Sequence, residues 1–152
     1  MIGKVVFVMI AFLVLGCTSN QKNSVKKEVI KSPKAPAAIG PYSQAIKVGN
    51  TLYCSGQIAI DPATGELVNE SIENETKQVL ENLGAVLKEA GMDYSDVVRT
   101  TVFMSDMENY GRINSVYAQY FTEDPPARAA VQVANLPKYV NVEISCIAVK
   151  TD

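Results

Sequence analysis

Between residues 71 and 90 apolar side chains recur at helical spacing: Ile72, Val79, Leu80, Leu83, Val86, Leu87 and Ala90. One apolar stripe predicts a helix lying on a sheet with its charges outward, and Gly91 supplies a natural stop. Upstream, Gln44 to Val48 and Thr51 to Ile60 read as two strands. Gly49-Asn50 between them supplies the positive φ of a two-residue hairpin turn. Asp61-Pro62-Ala63-Thr64-Gly65 is a turn with proline and glycine in favoured places. Val97 to Met104 is rich in β-branched residues and reads as a strand. Ser105-Asp106-Met107-Glu108 has the form of a capping box, opening a second helix that carries Tyr110, Ile113, Val116, Tyr117, Tyr120 and Phe121. That helix ends before Pro125-Pro126. Ala127 to Val133 and Asn141 to Lys150 complete the pattern as two strands joined across Pro137.

The predicted order is β-β-α-β-α-β-β, an α+β domain with two helices on one face of a mixed sheet. Two helices cover one sheet face only. The other must be buried elsewhere, which points to a neighbouring copy and an oligomer.

Ahead of this domain the pattern changes. Lys4 is the only charge before an unbroken apolar run from Val5 to Leu15, too short to span a bilayer as a helix but suited to a signal-peptide core. The run ends in Val14-Leu15-Gly16-Cys17, which resembles the bacterial lipoprotein signal, with Leu15 bulkier than that position usually holds. The resemblance implies a signal peptide over 1–16 and lipidation of Cys17. A flexible basic linker over 17–35 would follow, then the folded domain over 36–152. The location expected from it is the cell envelope, with the membrane as partner through the N-terminal lipid. A conventional secretory signal and an uncleaved anchor are the alternatives.

Charge is divided along the same line. Residues 18–35 carry five lysines against Glu28, net +4, whereas residues 36–152 carry eight Lys/Arg against fifteen Asp/Glu, net −7. So acidic a domain repels phosphate backbones, and no nucleic-acid partner is expected. The chain has no histidine, which removes the usual general base, the commonest metal ligand and the middle of any Ser-His-Asp triad. No metal site is expected from the spacing of Cys54 and Cys146, which read as two buried thiols, though an exported protein can pair them.

The residues left for chemistry are few. Arg128 follows Pro125-Pro126-Ala127 at the start of a strand. A fixed guanidinium there suits a small carboxylic acid through two parallel hydrogen bonds; the alternative is a surface arginine beginning a strand. Glu143 falls on the strand face opposite Val142, Ile144, Cys146 and Ala148. Pairing of its strand with Ala127–Val133 would bring it near Arg128. A carboxylate in a confined site takes a proton from water, and burial raises its pKa toward that task; the alternative is a sheet carboxylate paired with a cation. Tyr42, on the Gly40-Pro41-Tyr42-Ser43 turn, lines a pocket or caps the core. Gly56, in Ser55-Gly56-Gln57, marks a bulge or a close approach. Composition and spacing alone do not reveal the function.

Together these segments resemble the RidA (YjgF) family. The blocks are Ala37-Ala38-Ile39-Gly40-Pro41-Tyr42-Ser43-Gln44-Ala45, Ser55-Gly56-Gln57-Ile58, Val98-Arg99-Thr100-Thr101-Val102-Phe103-Met104, Tyr120-Phe121, Pro125-Pro126-Ala127-Arg128 and Val142-Glu143-Ile144. The resemblance implies a chorismate-mutase-like (YjgF-like) fold, assembled as a homotrimer with active sites in the clefts between subunits. It implies hydrolysis of small enamines and imines, of the 2-aminoacrylate and 2-iminopropionate class, to 2-oxoacids and ammonia without a cofactor. Arg128 would clamp the substrate carboxylate, Glu143 would handle protons for the attacking water, and Tyr42 would shape the pocket. Ser55 and Gly56 would contact the substrate through their backbone, and Asn114 matches a position near the site. Two departures stand out: Ala129-Ala130 follows the arginine where many members have a hydroxyl or thiol, and Ser145 replaces a second glutamate. A trimeric envelope protein that holds small carboxylates or a protein without turnover is the competing expectation.

Overall fold

The computed structural model describes residues 26–151. Six strands form one mixed sheet: β1 (Lys27–Ile30), β2 (Ala45–Val48), β3 (Thr51–Gln57), β4 (Val97–Met104), β5 (Ala127–Gln132) and β6 (Val142–Val149). Their spatial order is β1-β2-β3-β6-β4-β5, antiparallel throughout except for the parallel pair β4–β5. Two helices, α1 (Ile72–Glu89) and α2 (Tyr110–Tyr117), complete the α+β domain expected from the hydrophobic pattern.

Alternation along β6 sets the layers. Val142, Ile144, Cys146 and Ala148 are buried under the helices, while Glu143, Ser145, Ile147 and Val149 turn to the other face. From the helix layer Val79, Leu80, Leu83, Val86 and Leu87 of α1 meet them with no exposed surface. Each such side chain contributes about 1.5–3 kcal/mol by leaving water. The ends of α1 explain its length. Ser71 accepts a hydrogen bond from the Asn74 amide, 3.1 Å, as N-cap. At the other end Gly91, at φ 73°, lets the Met92 amide donate back to the Leu87 carbonyl, 2.9 Å.

The second sheet face has no helix over it among the described residues. A cross-strand row of Val29, Ile46, Tyr53 and Ile147 runs along it, with Val29 59% and Tyr53 51% exposed. Val131, on β5, is exposed on the same face.

Three expectations need correction. First, Lys27–Ile30 is a strand paired with β2, not part of a linker running to residue 35. Its backbone satisfies the free edge of β2, a pairing that a lysine-rich composition does not announce. Second, the cap of the segment before α2 is Asp106, whose carboxylate accepts from the Glu108 amide, 3.0 Å. Ser105 is drawn away by Asn141, to which its amide and hydroxyl both donate. Third, the strand of Arg128 does not pair with that of Glu143. Strand β4 lies between them, because the β4–α2–β5 unit makes a parallel crossover that places β5 at the sheet's edge.

Candidate active site

The sheet register divides the expected site residues into two groups. Arg128 is level with Thr100 of β4, on the helix-covered face. Glu143 is level with Phe103 of β4, on the open face. Within one chain the guanidinium and the carboxylate therefore face different spaces.

On the open face, Glu143 sits over Gly56. Between Cys54 and Gln57 the β3–β6 register slips by one residue, so that Ser55 and Gly56 bulge against the single residue Ser145. A side chain at position 56 would overlap the Glu143 carboxylate, with the virtual Cβ falling against its Oε1, Cδ and Cγ. The glycine is needed for that close approach. Ser55 is fixed by its hydroxyl, which donates to the Ser43 carbonyl at 2.7 Å, and by its amide, which donates to the Gln44 carbonyl at 3.0 Å. These bonds tie the bulge to the turn bearing Tyr42. Ile39, Tyr42, Ser55, Gly56, Ile58, Pro137 and Glu143 line one cavity of about 330 Å³. Glu143 takes part in none of the ion pairs among the described residues. Burial raises its carboxyl above the ordinary carboxylate value. A half-buried carboxylate with no cation beside it is poised to accept a proton.

On the helix face, Arg128 rests on α2. Its guanidinium carbon lies 4.8 Å from the centre of the Tyr117 ring and 5.8 Å from that of Tyr110. Nη1 donates to Asn114 Oδ1 at 2.8 Å and Nη2 to the Tyr110 hydroxyl at 3.3 Å. Tyr117 is held in turn by a 2.8 Å hydrogen bond between its hydroxyl and that of the buried Thr100. All these partners are neutral, so the guanidinium keeps its charge for an incoming anion and is already oriented. Asn114, Tyr117, Ala118, Phe121, Pro125, Pro126 and Arg128 line a second cavity of about 440 Å³.

The structure thus joins Tyr42, Ser55 and Gly56 to Glu143, joins Asn114 to Arg128, and keeps the two sets apart. Tyr110 and Tyr117 were legible only as members of an apolar helix stripe. Their spacing with Asn114, at i, i+4 and i+7, puts all three on one helix face, a signal that marks a platform once the arginine is placed. Pro137 gave no signal, since its approach to Glu143 depends on the path of the loop before β6. Cys54 and Cys146 are opposed across β3–β6 as free, buried thiols. A hydrogen bond with Cys54, together with burial, pushes the Cys146 thiol well above its usual range.

The α+β sheet thus carries a guanidinium cradled on one face and, over a glycine bulge on the other, a carboxylate with no ion-pair partner among the described residues. Comparison with known proteins gives the family. The family profile described as Endoribonuclease L-PSP matches residues 32–150. The chain is 51% identical over 126 residues to Reactive Intermediate Deaminase A, chloroplastic, of Arabidopsis thaliana, covering 83% of this chain and 67% of that protein. It is 52% identical over 128 residues to the mouse 2-iminobutanoate/2-iminopropanoate deaminase, covering 84% and 95%. Among solved structures, a Thermotoga maritima protein described as an endoribonuclease superposes with a TM-score of 0.81 at 52% identity, over 82% of this chain and 98% of that one. The chain belongs to the RidA (YjgF) family.

These matches correct the expected location. Relatives that share about half of the aligned residues include a chloroplastic protein and a mouse deaminase, and a lipid-anchored place in the cell envelope, with the membrane as partner, is not upheld. Among the described residues no helix is long and apolar enough to cross a membrane. The envelope reading rested on one short apolar run and one cysteine, a local pattern independent of the domain that follows. The signal peptide over 1–16 and Cys17 lie outside the described residues.

Proposed function

We propose that the protein hydrolyses small imino and enamino acids of the 2-iminopropionate and 2-aminoacrylate class to 2-oxoacids and ammonia. The observation that carries this reading is a pair of opposite charges, Arg128 and Glu143, each facing its own cavity without an ionic partner among the described residues. The names of the relatives at about half identity agree with it.

The reaction needs little from the protein. A protonated imine carbon is already electrophilic, so positioning and one acid/base group suffice; fixing water and imine in attack geometry is worth several kcal/mol, within the ~7–11 kcal/mol available from such effects. In this reading Arg128 grips the substrate carboxylate by two N–H donors. Glu143 takes a proton from water as its oxygen bonds to the imine carbon, giving a carbinolamine. It then returns that proton to nitrogen; the C–N bond breaks, ammonia leaves, and the remaining hydroxyl proton passes back to the Glu143 carboxylate and on to solvent as the oxygen becomes the ketone of the 2-oxoacid. An enamine first takes a proton from solvent at its terminal carbon to become the protonated imine. Tyr42, Ser55 and Gly56 wall the Glu143 side, and Asn114 holds Arg128. Since the two charges of one chain point apart, the working cleft joins Arg128 of one copy to Glu143 of another. The homotrimer implied by the family resemblance supplies such clefts, and the apolar row on the open sheet face supplies a surface to bury.

The test generates 2-iminopropionate in place with an amino-acid oxidase and follows pyruvate release. The purified protein is expected to accelerate release over buffer, and Arg128→Ala to abolish most of that acceleration. A wild-type rate equal to buffer would falsify the reading, and retained 2-oxoacid binding without turnover would make the protein a carboxylate-binding module instead. The acidic balance of the domain gives no support to an RNA substrate.

A further inference from the structure

We propose that Glu75 is the positioning residue of the Glu143 site: its carboxylate anchors the start of β6 from beneath and so fixes both Glu143 and Pro137 at the cavity. The inference rests on the reaction proposed above and adds a residue that neither the sequence pattern nor the resemblance singled out.

Glu75 lies in the first turn of α1, on the sheet side, and has no exposed surface. Its Oε1 accepts from the Asn141 amide at 2.6 Å and from the Val142 amide at 3.2 Å, and its Oε2 accepts from Asn141 Nδ2 at 2.9 Å. Among the described residues no cation is one of its partners. Burying a carboxyl group without a cation is costly unless hydrogen bonds satisfy it, and here three N–H donors converge from two consecutive residues. Asn141 is also gripped by the residue that follows β4: its carbonyl accepts from the Ser105 amide at 3.0 Å, and its Oδ1 accepts from the Ser105 hydroxyl at 3.1 Å. The entry into β6 is therefore clamped by α1 and the end of β4 at Ser105 together. Glu143 follows this clamp by one residue, and Pro137, which lines the same cavity, precedes it by four. A displacement of Asn141-Val142 would carry the Glu143 backbone with it, away from the space above Gly56 that its carboxylate fills. Reaction rates respond steeply to such shifts, because an ångström of misplacement costs about 100-fold.

The experiment measures kcat, KM and the pH profile of the full-length protein and three variants. Glu75→Ala is expected to lower kcat by about 10- to 100-fold with a smaller change in KM. The acid limb of its kcat/KM profile should move to lower pH, because a Glu143 released from above Gly56 becomes hydrated; among the described residues Tyr42 is the only other titratable group lining that cavity. Glu75→Gln should restore most of kcat, since an amide oxygen still accepts from both backbone amides. Val79→Ala, a core truncation in the same helix, should lower the melting temperature while leaving kcat and the acid limb in place. Wild-type kcat and acid limb in Glu75→Ala would overturn the proposal, as would the same changes in Val79→Ala. Should Glu75→Ala fail to fold, Asn141→Ala removes the contacts of its side chain with Glu75 Oε2 and the Ser105 hydroxyl, leaves both backbone amides on Oε1, and is expected to shift kcat and the limb in the same direction; no shift overturns the proposal. Titration of the Glu143 carboxyl by NMR needs no turnover. Were the wild type inactive, the proposed reaction would fall, and an unmoved Glu143 midpoint in Glu75→Ala would separately dispose of the clamp.

Discussion

At position 56 a glycine is required by its neighbour's side chain. The Glu143 carboxylate occupies the space into which any Cβ there would project. Gly56→Ala is thus expected to push Glu143 out of its cavity and lower kcat/KM by about 100-fold, with the fold retained by circular dichroism. A fully active alanine variant would show that the carboxylate need not sit there. The same burial sets a pH dependence. Desolvation holds Glu143 above the ordinary glutamate value of 4.5, and a base works only when ionised. Activity should fall as pH drops through that raised value, so the acid limb of kcat/KM should lie above 4.5; a limb at or below it would contradict the assignment. Of these features the sequence offered the glycine in a strand and the lone charge on one strand face. It offered no way to see that the two touch, since contact required the one-residue slip between β3 and β6. Arg128 was legible from the prolines before it. The aromatic bed under it was not, because tyrosines at helical spacing read equally well as core.

Among the elements, α1 was the most legible, and its energetics follow from the same stripe that revealed it. Leu83 is completely buried at the centre of its apolar face. Leu83→Ala leaves a cavity under the sheet and should cost about 2–5 kcal/mol, read from urea unfolding monitored by circular dichroism. A loss below about 1 kcal/mol would mean that the layer repacks around the gap. The pattern of α1 also hid something. Its acidic residues were assigned outward, yet Glu75 faces the sheet and spends its oxygens on the first amides of β6. Periodicity sorts residues by polarity, and a satisfied buried carboxylate violates that sorting locally. Strand β1 escaped for a related reason. Only Ile30 of its four residues is buried, so its hold on the sheet comes from the backbone ladder with β2, which composition does not record.

At the scale of the molecule, the sheet separates the two charges. Arg128 faces α2, Glu143 faces the open side, and β4 stands between their strands. If catalysis joins them across copies, two inactive variants must rescue each other. Arg128→Ala chains keep Glu143, and Glu143→Gln chains keep Arg128. When the two are unfolded together, refolded in equal amounts and allowed to assemble at random, about a quarter of the clefts of a cyclic trimer should combine the intact residue of each. The mixture should therefore recover activity to about a quarter of the wild-type rate, while each variant refolded alone remains inactive and mixing without unfolding restores little. Recovery should also depend on protein concentration, since clefts disappear when the copies separate. Rescue absent under conditions that return wild-type protein to full activity would mean that no cleft pairs Arg128 with another chain's Glu143. The guanidinium and the carboxylate would then serve separate sites, and the apolar row of Val29, Ile46, Tyr53 and Ile147 would need an occupant unrelated to catalysis.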